Sequence, residues 1–437
     1  FAFVVKPRVV ASTRTPTRTS SKLFVANDFD ADADADADAD TSNSIDRILA
    51  AGGGLPVVPS GDCLLFDPAI EGKLGGSGIL EQRLQHGVAY DDSFIQTTLE
   101  ASSPETVLGT PITTITTAAP PATTTTDQQL VDAQHWLEDI GVPSPFAKNN
   151  KPVEAKLLGR TRLIGDDAPG DIQHILLQLP KGMHYVEGQS ISVIPPGINE
   201  QTGKPLHKPR LYSIASTRYG DLLDGQTVSL CVRRAQYMDP ITNQPDPTKQ
   251  GICSNFLCNA TPGQTIQVAG PVGKTMLLPT DPNKDIIMVA TGTGIAPFRA
   301  FLHRLFMEHT VARHMFTGSA WLILGVPTTS GLLYPQEIQA MQQNALPGQL
   351  RVNYAISREM TNTIDGGKLY VQHVLAQHAD ELLSKLESGA VIYFCGLKGM
   401  MPGILESLEQ VCASRGLDFA TQLAKWQANH QWHVEVY

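Results

Sequence analysis

For residues 151–437 the sequence predicts an antiparallel β-barrel or sandwich followed by a parallel α/β domain, with a loosely organised extension in front. Three observations carry that expectation. Between about residues 153 and 279, short β-patterned runs recur between turn residues with few helical stretches, as in closed or packed antiparallel sheets. After Asp281, apolar strands alternate with amphipathic helices, the pattern of a parallel sheet covered on both faces. The charge balance also breaks near residue 150. Residues 1–150 hold 9 basic and 20 acidic side chains, whereas residues 151–437 hold 24 and 23.

Composition narrows the function classes. A chain of 437 residues, 42% hydrophobic, can build two or three domains. The net charge of −10 speaks against a nucleic-acid binder, which carries a basic surplus. Six scattered cysteines (Cys63, Cys231, Cys253, Cys258, Cys395, Cys412) include no C-x-x-C pair, so neither a disulfide framework nor a zinc knuckle is expected, and a reduced compartment fits. No apolar run reaches the ~18 residues of a membrane span.

The elements follow in order. Residues 1–43 form a transit-like and low-complexity segment. From Phe1 to Asn27 there are five basic residues, seven Ser or Thr and no acid, the composition of an organellar targeting peptide or of a basic tail. The Ala/Asp repeat at 31–40 has nothing to bury and repels itself. Residues 44–150 are an extension of unassigned role: apolar stretches broken by glycines, a Thr/Pro/Ala linker at 110–126, then a short amphipathic helix that Gly141 and Pro143 end.

A barrel-type region is expected over 151–280, with strands in VEAKLLGRTRL, IQHILLQLP, SISVIP, RLYSIAST, TVSLCVRR and TIQVAGP. The α/β region is expected over 281–437. There DIIMVAT, AWLILGV, RVNYAIS and AVIYFCG read as strands, and the stretches GIAPFRAFLHRLFMEH, PQEIQAMQQ, KLYVQHVLAQHADELLSKL and MMPGILESLEQVCASRG read as helices.

Five motifs offer chemistry. ATGTGIAP at 290–297 follows a strand and opens a helix, a turn whose backbone N–H groups can approach a phosphate. Arg210, Tyr212 and Ser213 put a cation, a planar ring and a hydroxyl on one short strand. Ser357 and Arg358, with Lys368 and Tyr370, place cations, a hydroxyl and an aromatic after a strand, a cradle suited to an adenosine 2′-phosphate. Cys395 and Gly396 close a strand where open α/β sheets bind ligands. WHVEVY, ending at Tyr437, reads as a strand tied into the fold. Taken singly, the first three are equally an ordinary parallel-sheet turn, a strand with one buried tyrosine, and a solvated loop.

Taken together and in this order, RLYSIAST, GICSNFLCNATPGQTIQVAGPVGKTMLLP, VATGTGIAPFRAFL, WLILGVPTTSGLLY, YFCGLKGM and WHVEVY resemble plastid-type ferredoxin–NADP reductase across residues 151–437. The resemblance implies a six-stranded antiparallel barrel carrying FAD and a parallel α/β domain carrying NADP(H). It implies that Arg210, Leu211, Tyr212 and Ser213 contact FAD, with Tyr212 against one flavin face and Tyr437 against the other. Cys231, Arg233 and Tyr237 correspond to the next cofactor strand, and Gly251, Ile252, Cys253 and Ser254 to the flavin pyrophosphate. It places Thr291, Thr293, Ser357, Arg358, Lys368, Tyr370, Gly396 and Leu397 on the NADP side. Ser213, Cys395, Glu435 and Tyr437 are the implied catalytic set: Ser213 near flavin N5, Cys395 near nicotinamide C4, and Glu435 in proton supply.

The activity implied is transfer of electrons from reduced ferredoxin through FAD to NADP⁺ in photosynthetic electron transport. The alternative is the reverse flow, from NADPH to ferredoxin or flavodoxin. Localisation in the chloroplast is implied, in the stroma or peripherally on the stromal face of the thylakoid. Ferredoxin docking is expected on the more positive barrel region through Lys204 and Lys208, because residues 151–280 carry a net +3 and residues 281–437 a net −2. The loop GKPLHKPRLYS is one residue longer than the usual form, and Lys425 is the one cation shortly before the terminal motif. His303, His309, His314, His373 and His378 form no metal-ligand pattern and read as surface or core residues.

Overall fold

The computed structural model describes residues 140–197, 207–222, 225–239, 242, 244, 246–308 and 311–437. The transit-like segment, the Ala/Asp repeat, the linker, nearly all of the helix expected ahead of Gly141, and Lys204 and His309 lie outside the described residues.

Six strands make the first sheet: β1 (Val153–Arg162), β2 (Ile172–Gln178), β3 (Ser190–Ile194), β4 (Arg210–Ser213), β5 (Thr227–Arg233) and β6 (Thr265–Val272). They pair antiparallel throughout in the order β4-β3-β6-β1-β2-β5. A bridge between Ile214 and Leu230 joins the two edge strands, so the sheet closes into a barrel and is not a sandwich. Period-two alternation sends Leu157, Ile175, Leu177, Ile191, Val193, Leu230, Val232 and Val268 inward, and Leu257 of helix α1 (Ile252–Asn259) packs on the same core.

The second sheet is parallel: β7 (Ile286–Thr291), β8 (Ala320–Val326), β9 (Leu350–Ile356), β10 (Val391–Gly396) and β11 (Trp432–Val436) in the order β11-β10-β7-β8-β9. Both faces are covered. Ile286, Met288 and Ala290 join a core shared with Leu158, Leu176 and Cys231 of the barrel wall, while Ile287 and Val289 face the opposite core. Helices α2 (Ile295–Leu302) and α4 (Pro335–Asn344) pack on the barrel side. Helices α5 (Val371–Gln377), α6 (Ala379–Glu387), α7 (Met400–Ser414) and α8 (Phe419–Ala428) pack on the other; α3 (Val311–Met315) is a short connection. Among the described residues no helix is long and apolar enough to cross a membrane.

Three details differ from the expected elements. The helix read through GIAPFRAFLHRLFMEH is α-helical to Leu302 and widens into a π turn over His303–Met307. In that turn His303 Nε2 reaches Glu337 at 2.7 Å and Arg304 Nη1 reaches the Tyr219 hydroxyl at 2.9 Å. The helix expected through KLYVQHVLAQHADELLSKL starts only at Val371 and divides at His378, whose ring meets Arg351 Nη2 at 2.9 Å. Helix α8 was not anticipated. Its signal is present nonetheless: Asp418 accepts from Thr421 N as an N-cap, and Phe419, Leu423 and Trp426 share one face.

Barrel and sheet are also tied by buried polar contacts. Arg299 of α2 donates to Ala215 O at 2.8 Å, to Asp221 at 3.1 Å and to Glu337 at 2.7 and 2.9 Å. His174 Nε2 lies 2.9 Å from Asp221, and the Thr217 hydroxyl donates to Glu308 at 2.9 Å. Glu187 receives Arg218 at 2.8 Å with Arg304 at 3.7 Å. Burial pushes the Glu187 carboxyl up, but the two guanidiniums outweigh it and hold it down to about 2.

Candidate active site

Register places the candidate catalytic side chains. In the parallel β10–β11 ladder Cys395 lies beside Glu435, so the two side chains share a face. Val391, Tyr393 and Cys395 have the same parity and belong to the core against the barrel. Glu435 therefore faces the barrel too. There Glu435 Oε1 accepts from Ser213 Oγ at 3.1 Å and from Ser190 Oγ at 2.9 Å. Cys395 is fully buried. Burial pushes its thiol well above the usual range and the Glu435 charge adds to this, against a smaller opposing effect of a Ser213 hydrogen bond. It is a neutral thiol at physiological pH. The structure thus brings Ser213, Cys395 and Glu435 together and adds Ser190.

The sheet reverses its winding between β7 and β10, and such switch points are where open α/β sheets bind ligands. The Gly292–Gly294 turn fills this point. A Cβ on Gly294 would sit 2.0 Å from Cys395 O, and one on Gly396 (φ +143) would sit 2.2 Å from Thr291 Oγ1, whereas Gly292 borders open space. Only glycine allows the two strand ends to meet this closely. Thr291 Oγ1 accepts from Leu397 N at 3.1 Å. Tyr437 is tied by its backbone, with its N–H to Gly396 O at 3.0 Å and its carbonyl accepting from Lys398 N at 2.9 Å. Its phenol hydrogen-bonds the Thr293 hydroxyl while 57% of the residue stays exposed.

The barrel side offers a surface for a flat, phosphate-bearing group. Leu211 is 62% and Ile252 53% exposed, Arg210 is exposed with Nη1 resting 3.2 Å from Pro209 O, and Tyr212 is half-buried. Gly251 turns tightly into α1: its N–H meets Ala235 O at 2.9 Å, and a Cβ there would strike that of Ala235 at 2.5 Å. The α1 ladder begins with Asn255 N donating to Gly251 O, so the N–H groups of Ile252, Cys253 and Ser254 lie outside it, as at any helix start. Exposed apolar side chains, an exposed guanidinium and a glycine-opened helix start fit a dinucleotide such as FAD.

Two of the expected contact residues can serve only through their backbones. Cys253 packs its side chain into the barrel core, and the Cys231 thiol is buried and pushed up to about 12. Ser254 Oγ is engaged by Ala235 N at 3.0 Å. Arg233 is exposed beside Gly170, and the half-buried Tyr237 ring lies 4.5 Å beneath Lys249 Nζ.

At the far end of the parallel sheet, Ser357 N and Arg358 N donate to Val326 O and Pro327 O at 3.0 and 2.9 Å. Both residues follow β9 at its carboxyl end, and Arg358, Lys368 and Tyr370 are exposed. Buried Asn362 shapes the loop between them. Its Nδ2 reaches Gly367 O and Lys368 O at 3.0 and 3.1 Å, and its Oδ1 accepts from Ile364 N and Asp365 N. Sequence reading passed over Asn362 and Ser190. An Asn–x–x–Asp–Gly turn signal marks the first; nothing local marks the second.

Comparison with known proteins agrees with this geometry. Residues 288–406 match the family model described as an oxidoreductase NAD-binding domain. The chain is 50% identical over 303 residues to a chloroplastic ferredoxin–NADP reductase of Chlamydomonas reinhardtii, covering 69% of this chain and 84% of the relative. It is 50% identical to root isozyme 2 of Arabidopsis thaliana over 68% of this chain and 77% of the relative. Against leaf isozyme 2 of Oryza sativa subsp. indica it is 46% identical over 68% and 79%. Among solved structures, ferredoxin–NADP⁺ reductase from Plasmodium falciparum superposes with a TM-score of 0.52 at 25% identity, over 67% of this chain and 99% of that one.

Proposed function

This chain belongs to the chloroplast ferredoxin–NADP reductase family, and on that premise we propose that its chemistry is carried out where Ser213 of the barrel meets Glu435 and Cys395 of the parallel sheet. The protein is a plastid enzyme that transfers electrons between ferredoxin and NADP(H) and uses FAD. FAD, when bound, supplies the redox chemistry, taking electrons singly on one side and exchanging a hydride on the other. The protein's own part is to bind, orient and manage a proton.

In this reading residues 151–280 hold FAD. Arg210 and the α1 start would hold its phosphates, Leu211, Ile252 and Tyr212 would pack on its apolar and aromatic surface, and Ser213 would hydrogen-bond the flavin. Residues 281–437 hold NADP(H). Thr291, Thr293, Gly396 and Leu397 border the nicotinamide half, and Ser357, Arg358, Lys368 and Tyr370 take the 2′-phosphate. Tyr437 occupies the nicotinamide position until displaced. Its single phenol hydrogen bond and large exposure support a ring that moves out at modest cost. The hydrogen bond from Ser213 to Glu435 is the observation that carries the reading, since it links the hydroxyl at the flavin edge to a carboxylate able to exchange a proton.

Ferredoxin docks, in the same reading, beside the flavin edge in the stroma or at the stromal thylakoid face. Exposed Lys208 next to Arg210 supports this placement, with Lys204 assigned from sequence. The test uses purified holoenzyme. Flavin absorbance must bleach on NADPH addition, and Lys204→Glu with Lys208→Glu must cut ferredoxin-dependent cytochrome c reduction while NADPH–ferricyanide turnover persists, with an on-rate that falls as salt rises. A spectrum without flavin bands removes the site assignment. Equal loss of both activities removes the docking assignment.

A further inference from the structure

Ser190 opens β3 directly opposite Ser213 in the β3–β4 ladder. Opposed residues of an antiparallel pair project from the same face. The neighbouring pair, Ile191 and Tyr212, turns toward the barrel core, so the two serines face outward to β11. A register shift between Ser190 and Ser192 in the β3–β6 ladder bends the strand where such bulges re-aim side chains. The outcome is two hydroxyls on one oxygen: Ser190 at 2.9 Å and Ser213 at 3.1 Å from Glu435 Oε1. Ser190 is only 4% exposed, and a buried hydroxyl is costly unless bonded.

A serine has one proton to donate. While Ser213 donates to Glu435 it cannot donate to the flavin ring, and when it turns to the ring Glu435 loses that donor. We propose that Ser190 is a positioning residue: it holds Glu435 Oε1 in place throughout, so that Ser213 can exchange its hydrogen bond between the carboxylate and the cofactor without the carboxylate swinging away. The division of labour follows from location. Ser213 lies on the short, half-buried β4 strand, whereas Ser190 lies on β3 behind it, buried, with its hydroxyl on Glu435. The inference rests on the reading of Ser213 and Glu435 given above, and its test separates the two.

Ser190→Ala is compared with Ser190→Thr in holoenzyme of matched FAD content and similar Tm. Because Ser213 still holds the carboxylate for part of the time, loss of the Ser190 donor should cost about the net value of one ordinary hydrogen bond, lowering kcat for NADPH–ferricyanide turnover about fivefold at unchanged KM for NADPH, and threonine should restore most of it. A crystal structure of Ser190→Ala should show the Glu435 carboxylate moved out of hydrogen-bonding distance of residue 213. If Ser190→Ala does not yield folded holoenzyme, Ser190→Cys keeps the side-chain shape at a slightly larger volume, weakens the donor and carries the same readouts. An unchanged kcat, a carboxylate that stays in place, or the same fivefold fall in a Glu435→Gln background overturns the proposal. Should Glu435→Gln alone leave turnover intact, the reading of the site fails; the carboxylate position in Ser190→Ala then decides this proposal alone, a moved group supporting it and an unmoved one overturning it.

Discussion

The hydroxyl of Ser213 and the carboxylate of Glu435, 222 residues apart in the chain, meet at 3.1 Å across the seam between the barrel and the parallel sheet. Neither sheet contains the site alone. Whatever holds barrel and sheet together also holds these two side chains in register, and the buried contacts from Arg299, Arg304 and Glu308 do this.

Ser213→Ala and Glu435→Gln are both expected to slow flavin reduction by NADPH, on the order of 10²-fold for a lost proton-handling group, while FAD stays bound through Arg210 and the α1 turn. Stopped-flow bleaching of the flavin measures the first effect and the absorbance ratio of flavin to protein the second. Loss of FAD in step with rate would make Ser213 an anchor instead.

Arg358→Ala and Lys368→Ala should each raise KM for NADPH while leaving KM for NADH nearly unchanged. A charge-assisted hydrogen bond of about 1.5–3 kcal/mol corresponds to roughly 10- to 150-fold. Steady-state kinetics with both donors checks this, and parallel losses would place the 2′-phosphate elsewhere.

Tyr437→Ser removes the bond to Thr293 and, on the proposed reading, the ring that competes for the nicotinamide position. Oxidised nucleotide should bind more tightly and NADH should become a better donor, as read by difference spectroscopy and by the NADPH/NADH ratio of kcat/KM. Unaltered affinity together with unaltered preference would take Tyr437 out of that role.

Glu187 sets an acid limit on stability. Its folded-state value is depressed from 4.5 to about 2 by Arg218 and Arg304 against the opposing effect of burial. The stabilisation is therefore complete above about pH 4.5 and is lost as pH falls toward 2. A shift of that size is worth roughly 3 kcal/mol. Glu187→Gln should leave two guanidiniums poorly paired, costing about 3–5 kcal/mol near neutrality, and should flatten the fall of Tm between pH 5 and 2. A variant whose Tm tracks the parent across that range would show that other groups govern the acid limit.

The strands of the barrel and the βα alternation behind them were legible in the sequence because periods of 2.0 and 3.6 are local properties of a few consecutive residues. The ordered motifs likewise sufficed to identify the family and to nominate Ser213, Cys395, Glu435 and Tyr437. Patterning alone left barrel and sandwich open, and the choice of a barrel came from the resemblance, since closure rests on Ile214 meeting Leu230. The π turn at His303–Met307 and the division at His378 were not legible, because each depends on a partner distant in the chain: His303 with Glu337, His378 with Arg351. Ser190 shows the limit most plainly. Its neighbours spell an ordinary buried strand, and its role arises only when one barrel ladder sets it opposite Ser213 and a parallel ladder turns Glu435 to face both. Propensity and patterning act over a few residues, whereas two hydroxyls donating to one carboxylate oxygen need three oxygens within about 3 Å, and only the packing of two sheets against each other brings such distant positions that close.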